Sequence, residues 1–123
     1  MALQQPKEQR EHSRVALMFH THVIDTHSDQ PIGILSDISP EGMRVVGERG
    51  VAPGEAVEVR VPLPIEDLGS DELRFPCESR WSRRDPATDS IHTGFRLINL
   101  PDAQRCLLMS VIDEYGIENL ALN

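Results

Sequence analysis

Two arginines four residues apart, Arg10 and Arg14, are the first side chains in the sequence whose type and spacing suit the binding of an anion. In an extended segment, positions i and i+4 lie on the same side, roughly 13 Å apart at about 3.3 Å per residue. Each planar guanidinium can meet phosphate oxygens, or O6 and N7 of guanine, with two hydrogen bonds at once. We therefore expect the pair to bind one elongated ligand that carries phosphates and purine edges. Arg80 and Arg84 repeat the spacing, so the pair alone is not specific.

A second candidate group, Asp37, Ser39 and Gly42, falls within residues 37–42, a segment rich in turn-forming residues. The carboxylate and the hydroxyl can accept the N–H donors of a guanine edge, which arginine cannot do. Gly42 is expected to adopt positive φ and to let a ligand approach the backbone. Arginines can donate to the acceptors of guanine, and the aspartate can accept from its N–H donors. Together they predict a protein that binds a guanine dinucleotide. A plain turn held by side-chain-to-backbone bonds is the alternative for this segment, and both interpretations can hold at once.

The overall charge limits the class of ligand. The 123 residues carry 12 Lys and Arg against 20 Asp and Glu, a net charge of −8. A long nucleic acid would be repelled by this field, and its binders normally present a basic face, so we exclude it as a partner. A small anion is not excluded, because a local arginine cluster acts within a Debye length of roughly 8–10 Å.

The candidate residues need a scaffold, and the apolar pattern predicts one domain over residues 15–123, preceded by a flexible arm over residues 1–14. The arm is polar and has no apolar period. From Val15 apolar and polar residues alternate, which predicts a first strand whose inward face holds the odd positions from Val15 to Val23. Five further strands are predicted around Ile32, Met43, residues 55–63, Leu73 and Ile91, with residues 83–90 as a hairpin loop.

The period changes near Asn99, where a helix is predicted to begin close to Pro101 and to end near Gly116. Its apolar side comprises Leu107, Leu108, Val111, Ile112 and Tyr115. Six short strands followed by one helix predict a mainly β fold, a small antiparallel barrel capped by that helix.

The sequence shows no apolar run near the roughly 20 residues of a membrane-spanning helix, and its first residues lack the apolar stretch of a signal peptide. We therefore expect a cytoplasmic protein without membrane insertion. Cys77 and Cys106 have no metal-ligand spacing, and we expect both thiols to be reduced and buried.

The order of the two groups and the 22 residues between them (15–36) resemble the PilZ domain family. The signature of that family is Arg-x-x-x-Arg, then some twenty to thirty residues, then Asp/Asn-x-Ser-x-x-Gly. Arg80-Trp81 and residues 94–97 are similar to its closing hairpin. The resemblance implies a six-stranded antiparallel barrel with a C-terminal helix, and a receptor for the second messenger cyclic di-GMP rather than an enzyme.

The resemblance also implies roles for individual residues. Arg10 and Arg14 would bind guanine and phosphate, while Asp37, Ser39 and Gly42 would hold a guanine against the barrel. Trp81 matches a position where some members place an aromatic ring beside the ligand, although packing in the core or at its rim is the alternative. Ligand binding would order the arm and change the interaction with a downstream protein partner, in processes such as motility, polysaccharide secretion or biofilm formation.

Two other functions remain as alternatives. One is a PilZ-fold interaction module without nucleotide binding, which the intact arginine and aspartate motifs disfavour. The other is a metal-dependent barrel enzyme, with ligands among His20, His22, Asp25, His27 and His92. His20 and His22 lie opposite the apolar face of the first strand, which predicts that they point out of the barrel. We therefore expect no metal, no cofactor and no catalysis.

Overall fold

The structure is a computed structural model that describes residues 12–66 and 68–117. Within them it contains eight strands and one helix: β1 (Ala16–Leu17), β2 (His22–Asp25), β3 (Gln30–Ile38), β4 (Gly42–Gly47), β5 (Ala56–Pro62), β6 (Glu72–Arg84), β7 (Ile91–Leu97), α1 (Asp102–Tyr115) and β8 (Gly116–Ile117).

Six of these strands form a closed barrel in the order β2-β3-β4-β7-β6-β5. Every neighbouring pair is antiparallel, and β2 closes the barrel against β5 through the pairs Ile24↔Arg60 and Asp25↔Val59. The predicted six-stranded antiparallel barrel with a C-terminal helix is therefore confirmed.

The strands alternate between apolar and polar side chains, which gives the barrel an apolar inner face and a polar outer face. In β4, Met43 and Val45 are fully buried, whereas Arg44 between them points to the outer face. Burial of the apolar side chains is the main force that stabilises such a barrel. The core comprises Val23, Ile38, Met43, Val45, Val59, Val61, Leu63, Leu73, Phe75, Cys77, Phe95, Leu97, Leu108 and Val111.

The predicted first strand is broken in two. Val15 and Val23 are buried as expected, but β1 leaves the barrel and pairs with β8 at the end of the helix. The Phe19 ring lies edge-on to Tyr115, with 5.7 Å between the ring centroids. Contacts with the helix end therefore override the alternating pattern that predicted one continuous strand.

Two barrel strands are longer than the sequence predicted. Asp37 was expected in a turn, but it belongs to β3, where it pairs with Arg44 of β4. Arg83 and Arg84 were expected in a hairpin loop, but they continue β6 as far as its pairs with β7. Backbone pairing with the neighbouring strand determines where β3 and β6 end. The apolar pattern of one sequence does not indicate this pairing.

The helix covers one end of the core as predicted. Leu108 and Val111 of α1 are fully buried, and Leu107 and Ile112 pack against the same core. The backbone N–H of Gly116 donates to Ile112 O and ends the helix. In the part of the chain that the structure describes, no helix is long and apolar enough to cross a membrane.

The two cysteines differ in environment, and neither forms a disulfide. Cys77 is buried in β6 as predicted, and desolvation together with the charge of Asp25 raises the pKa of its thiol to about 12. The prediction that Cys106 is buried is wrong, because its position on α1 faces solvent.

Candidate functional site

Asp37, near the end of β3, is a carboxylate that the fold removes from solvent. A register shift between Leu35 and Asp37 interrupts the ladder with β4, and such a bulge can re-aim a side chain. The Asp37 side chain is only 7% exposed. A carboxylate at that depth needs cations or hydrogen-bond donors around it to remain stable.

Two arginines supply that charge. Arg14 Nε lies 3.1 Å from Asp37 Oδ1, and Arg44 Nη2 lies 3.1 Å from Asp37 Oδ2. Arg44 Nη2 also donates to Ser36 Oγ at 3.3 Å. Oδ1 is buried, and among the described residues no donor makes an aligned hydrogen bond to it. The carboxylate therefore keeps acceptor capacity beside the Arg14 guanidinium.

Ser39 lies at the start of the turn between β3 and β4 and is fully buried. Its Oγ accepts from the backbone N–H groups of Glu41 at 3.2 Å and Gly42 at 3.3 Å. The Ser39 N–H also donates to Gly42 O at 2.8 Å. These contacts support the plain-turn interpretation, in which Ser39 fixes the shape of the turn that follows Asp37. Direct contact of Ser39 with a ligand stays a prediction.

Gly42 does not adopt the positive φ that the sequence analysis expected. Among the described glycines, positive φ occurs at Gly54 and Gly69. A Cβ at position 42 would lie 2.9 Å from Phe95 O of β7. Glycine is therefore required here because β4 approaches β7 closely, rather than because of a left-handed backbone.

The end of the predicted arm lies against this turn. His12 Nδ1 is 2.9 Å from Glu41 Oε2. Val15 and Ile38 exchange two backbone hydrogen bonds, at 3.0 and 2.9 Å, which place Arg14 beside Asp37. Arg10, the other predicted arginine, lies outside the described residues. No local pattern in the sequence indicates the pairing of His12 with Glu41, and it was not predicted.

Trp81 lies on the outer face of β6, half-buried, opposite Gly94 of β7. A Cβ at Gly94 would overlap the indole ring, so the glycine provides the space in which the ring rests against β7. The Arg83 guanidinium carbon stands 4.9 Å from the centroid of the ring, a cation–π contact.

The ring forms part of a pocket of about 300 Å³, which we call the tryptophan pocket. It is lined by Arg44, Trp81, Arg83, Arg84, Asp85, Pro86 and His92. Three arginines and one aspartate line it, and two of these arginines are ion-paired outside the lining, Arg44 with Asp37 and Arg84 with Asp89. Arg83 and Arg84 were predicted to lie in a hairpin loop, and no pocket was predicted from the sequence.

Arg44 connects the tryptophan pocket to Asp37. The cross-strand pairs Asp37↔Arg44, Arg44↔Gly94 and Gly94↔Trp81 form one row across β3, β4, β7 and β6. At about 4.8 Å between neighbouring strands, the row spans roughly 14 Å. Arg44 was not among the residues predicted for the site, although its place between two apolar residues of a strand predicts an outward side chain.

The histidines do not assemble a metal site in the described part of the chain. His20 and His22 are exposed, as their position on the outer face of the first strand predicted. Within residues 12–66 and 68–117, no three His, Cys, Asp or Glu side chains lie close enough to hold a metal ion.

Comparison with known proteins gives a family and a fold. The family model described as "PilZ domain" matches residues 8–114. Among solved structures, the inhibitor of motility from Bacillus subtilis (MotI/DgrA) is similar with a TM-score of 0.65 and 19% sequence identity. That alignment covers 89% of this chain but only 55% of the other protein. A comparison with curated proteins found no match. Because the family model spans most of the chain and the barrel is the expected one, this protein belongs to the PilZ domain family.

Proposed function

We propose that this domain is a cyclic di-GMP receptor whose ligand binds across the row from Asp37 to Trp81. One observation carries the proposal: a buried carboxylate lies between two arginines and retains an oxygen without an aligned hydrogen bond. The family match adds to it, because PilZ domains are receptor and adaptor domains rather than enzymes.

The chemistry of the row suits a guanine dinucleotide. Guanine presents N1–H and N2–H donors, which a carboxylate such as Asp37 can accept, while O6, N7 and the phosphates accept from arginines. Arg14 and Arg10 would supply those donors from the arm. The half-buried Trp81 ring offers an apolar face for a purine at the other end of the row.

Ser39 and Gly42 take part in this proposal through the shape of the turn. The Ser39 hydroxyl holds the backbone N–H groups of the turn, and Gly42 allows β4 to approach β7. Both residues therefore fix the position of Asp37 relative to Arg44. Contact of the turn backbone with the base is the finer prediction for this segment.

Binding would become a signal through the arm. Arg14 contacts Asp37 in the described structure, so a ligand that reaches Asp37 Oδ1 must displace Arg14. We propose that the displaced guanidinium pairs with a ligand phosphate and that the arm becomes more ordered around the ligand. Ordering costs about 1–2 kcal/mol per fixed residue, which the charge-assisted bonds to two phosphates offset. The ligand shifts this equilibrium only through its different affinity for the two states.

The ordered arm and the ligand would form a surface that a cytoplasmic protein partner recognises. The structural neighbour is an inhibitor of motility, which makes a role in motility one candidate for the process controlled. Backbone order parameters for residues 1–14, measured with and without cyclic di-GMP, test the switch. Order parameters that do not change at saturation would contradict it and leave simple binding intact.

Calorimetric titration with cyclic di-GMP, cyclic di-AMP and GTP tests the proposed function itself. We expect micromolar affinity or better for cyclic di-GMP, equivalent to about −8 kcal/mol or stronger. The adenine analogue should bind far more weakly, because it lacks the N1–H that Asp37 accepts. Equal affinities for the two cyclic dinucleotides would contradict the role of Asp37, and no binding would favour the interaction-only alternative.

A further inference from the structure

Arg44 is the one described arginine that contacts both Asp37 and the tryptophan pocket. Its neighbours Met43 and Val45 are fully buried, which fixes the backbone of β4 and directs Arg44 to the outer face. The side chain is 31% exposed, so a ligand can reach part of the guanidinium without unfolding the strand.

Among the described residues, not every donor of the Arg44 guanidinium has an acceptor. Arg44 Nη2 is ion-paired with Asp37 Oδ2 at 3.1 Å and donates a hydrogen bond to Ser36 Oγ at 3.3 Å. Nε is buried, and it finds no acceptor in the described part of the chain. An unpaired buried N–H is unfavourable, so a small rotation of Arg44 that provides an acceptor would be favoured. A ligand atom in the pocket would be such an acceptor.

Asp37 and Arg44 also place an acceptor next to a donor, which is the arrangement that complements the edge of a guanine. An acceptor, Asp37 Oδ1, lies beside a donor group, the Arg44 guanidinium, which the second oxygen of the same carboxylate holds in place. Guanine presents the complementary set, with N–H donors next to the O6 acceptor. Adenine presents an amino donor where guanine has O6, and this donor would face the arginine.

We propose that Arg44 is a base-reading residue, which donates to O6 of the guanine whose N–H groups bond to Asp37. The inference rests on the proposed function and adds a specificity residue that the barrel, rather than the arm, supplies. In this arrangement Asp37 Oδ2 keeps its ion pair with Arg44. Asp37 Oδ1 exchanges its contact with Arg14 for a hydrogen bond from the base. The Arg44 guanidinium reaches the base from the side of the tryptophan pocket.

The test compares Arg44→Met with the wild-type protein in calorimetric titrations of cyclic di-GMP and cyclic di-AMP. Arg60→Met is the matched control, because the Arg60 side chain is 28% exposed, is also ion-paired, and lies on β5 away from the row. We expect Arg44→Met to weaken cyclic di-GMP binding at least tenfold. The preference for cyclic di-GMP over cyclic di-AMP should also fall at least tenfold, and Arg60→Met should change neither.

A second variant tests the same proposal in case Arg44→Met does not fold. Arg44→Lys keeps a positive charge against Asp37 but has no planar fork to reach the ligand at the same time. It should keep the wild-type melting temperature and still weaken cyclic di-GMP binding at least fivefold. Wild-type affinity in Arg44→Lys would contradict the proposal.

The remaining outcomes separate this inference from the proposed function. If the wild-type protein binds cyclic di-GMP and folded Arg44→Met binds equally well, Arg44 is not a ligand residue and the receptor function stands. If affinity falls while the guanine preference is kept, Arg44 contacts phosphate and the base-reading role is wrong. If the wild-type protein does not bind, the proposed function fails, and the role of Arg44 fails with it.

Discussion

Asp37 and Arg44 face each other across β3 and β4, with Arg44 Nη2 at 3.1 Å from Asp37 Oδ2, and this pair joins the turn to the tryptophan pocket. A carboxylate that is 7% exposed would be costly to bury alone. Its arginine partners therefore stabilise the buried charge and hold the carboxylate in the place where the proposed ligand would contact it.

Replacing Asp37 should affect stability and binding together. In Asp37→Ala the half-buried Arg44 loses its anion, so the free energy of unfolding should fall by about 1–3 kcal/mol. Cyclic di-GMP binding should weaken at least tenfold. Asp29→Asn is the control, because it removes the charge of an exposed carboxylate that is also paired with an arginine and keeps a side chain suited to the positive φ at this position. Chemical denaturation and calorimetry measure both quantities, and wild-type affinity in folded Asp37→Ala would contradict the site.

The two arm arginines should differ in their effect on the free protein. Arg14 contacts buried Asp37, so Arg14→Ala should lower the free energy of unfolding by about 1 kcal/mol or less. Arg10→Ala should change it by less than about 0.5 kcal/mol, because the sequence predicts Arg10 in an arm without packed contacts. Each variant should weaken cyclic di-GMP binding at least tenfold in calorimetric titrations. A large loss of stability in Arg10→Ala would show that Arg10 has a structural role.

Trp81 provides an internal probe because it is the sole tryptophan of the chain. A purine that stacks on the indole ring should change the tryptophan emission on titration with cyclic di-GMP. The midpoint should agree with the calorimetric affinity, and Trp81→Leu should weaken binding. An emission spectrum that is unchanged at saturation would show that the ligand lies away from the tryptophan pocket, and would leave Trp81 a packing residue.

The two thiols should react at different rates with a thiol reagent at pH 8. Exposed Cys106 should react at once, whereas buried Cys77, with its pKa raised to about 12, should react only on unfolding. The raised pKa also sets a direction for stability. In the unfolded chain the thiol has its ordinary pKa of 9.0. The stability that the neutral Cys77 thiol contributes is therefore fully present below pH 9 and is lost as the pH rises toward 12. Rapid modification of both thiols in the folded protein would contradict the buried position of Cys77.

The sequence predicted the barrel because alternation and burial coincide along most strands, as in Val59 and Val61 of β5. It did not predict that β1 leaves the barrel, since the pairing of Leu17 with Gly116 joins segments far apart in the chain. In the site, the structure places Arg14 in direct contact with Asp37, whereas the motif predicted only that both residues bind the same ligand. Arg44 was missed because its role depends on its cross-strand neighbours, which a linear spacing does not show.

A nitrogen–proton correlation spectrum recorded during titration with cyclic di-GMP tests the central claim most directly. The account predicts saturable shifts in residues 37–42, at Arg44 and Gly94, and at the indole N–H of Trp81, with amides on the far side of the barrel, such as those of β5, unchanged. No shift at millimolar ligand would contradict the receptor function. Shifts that avoid the row from Asp37 to Trp81 would show that the ligand binds somewhere else.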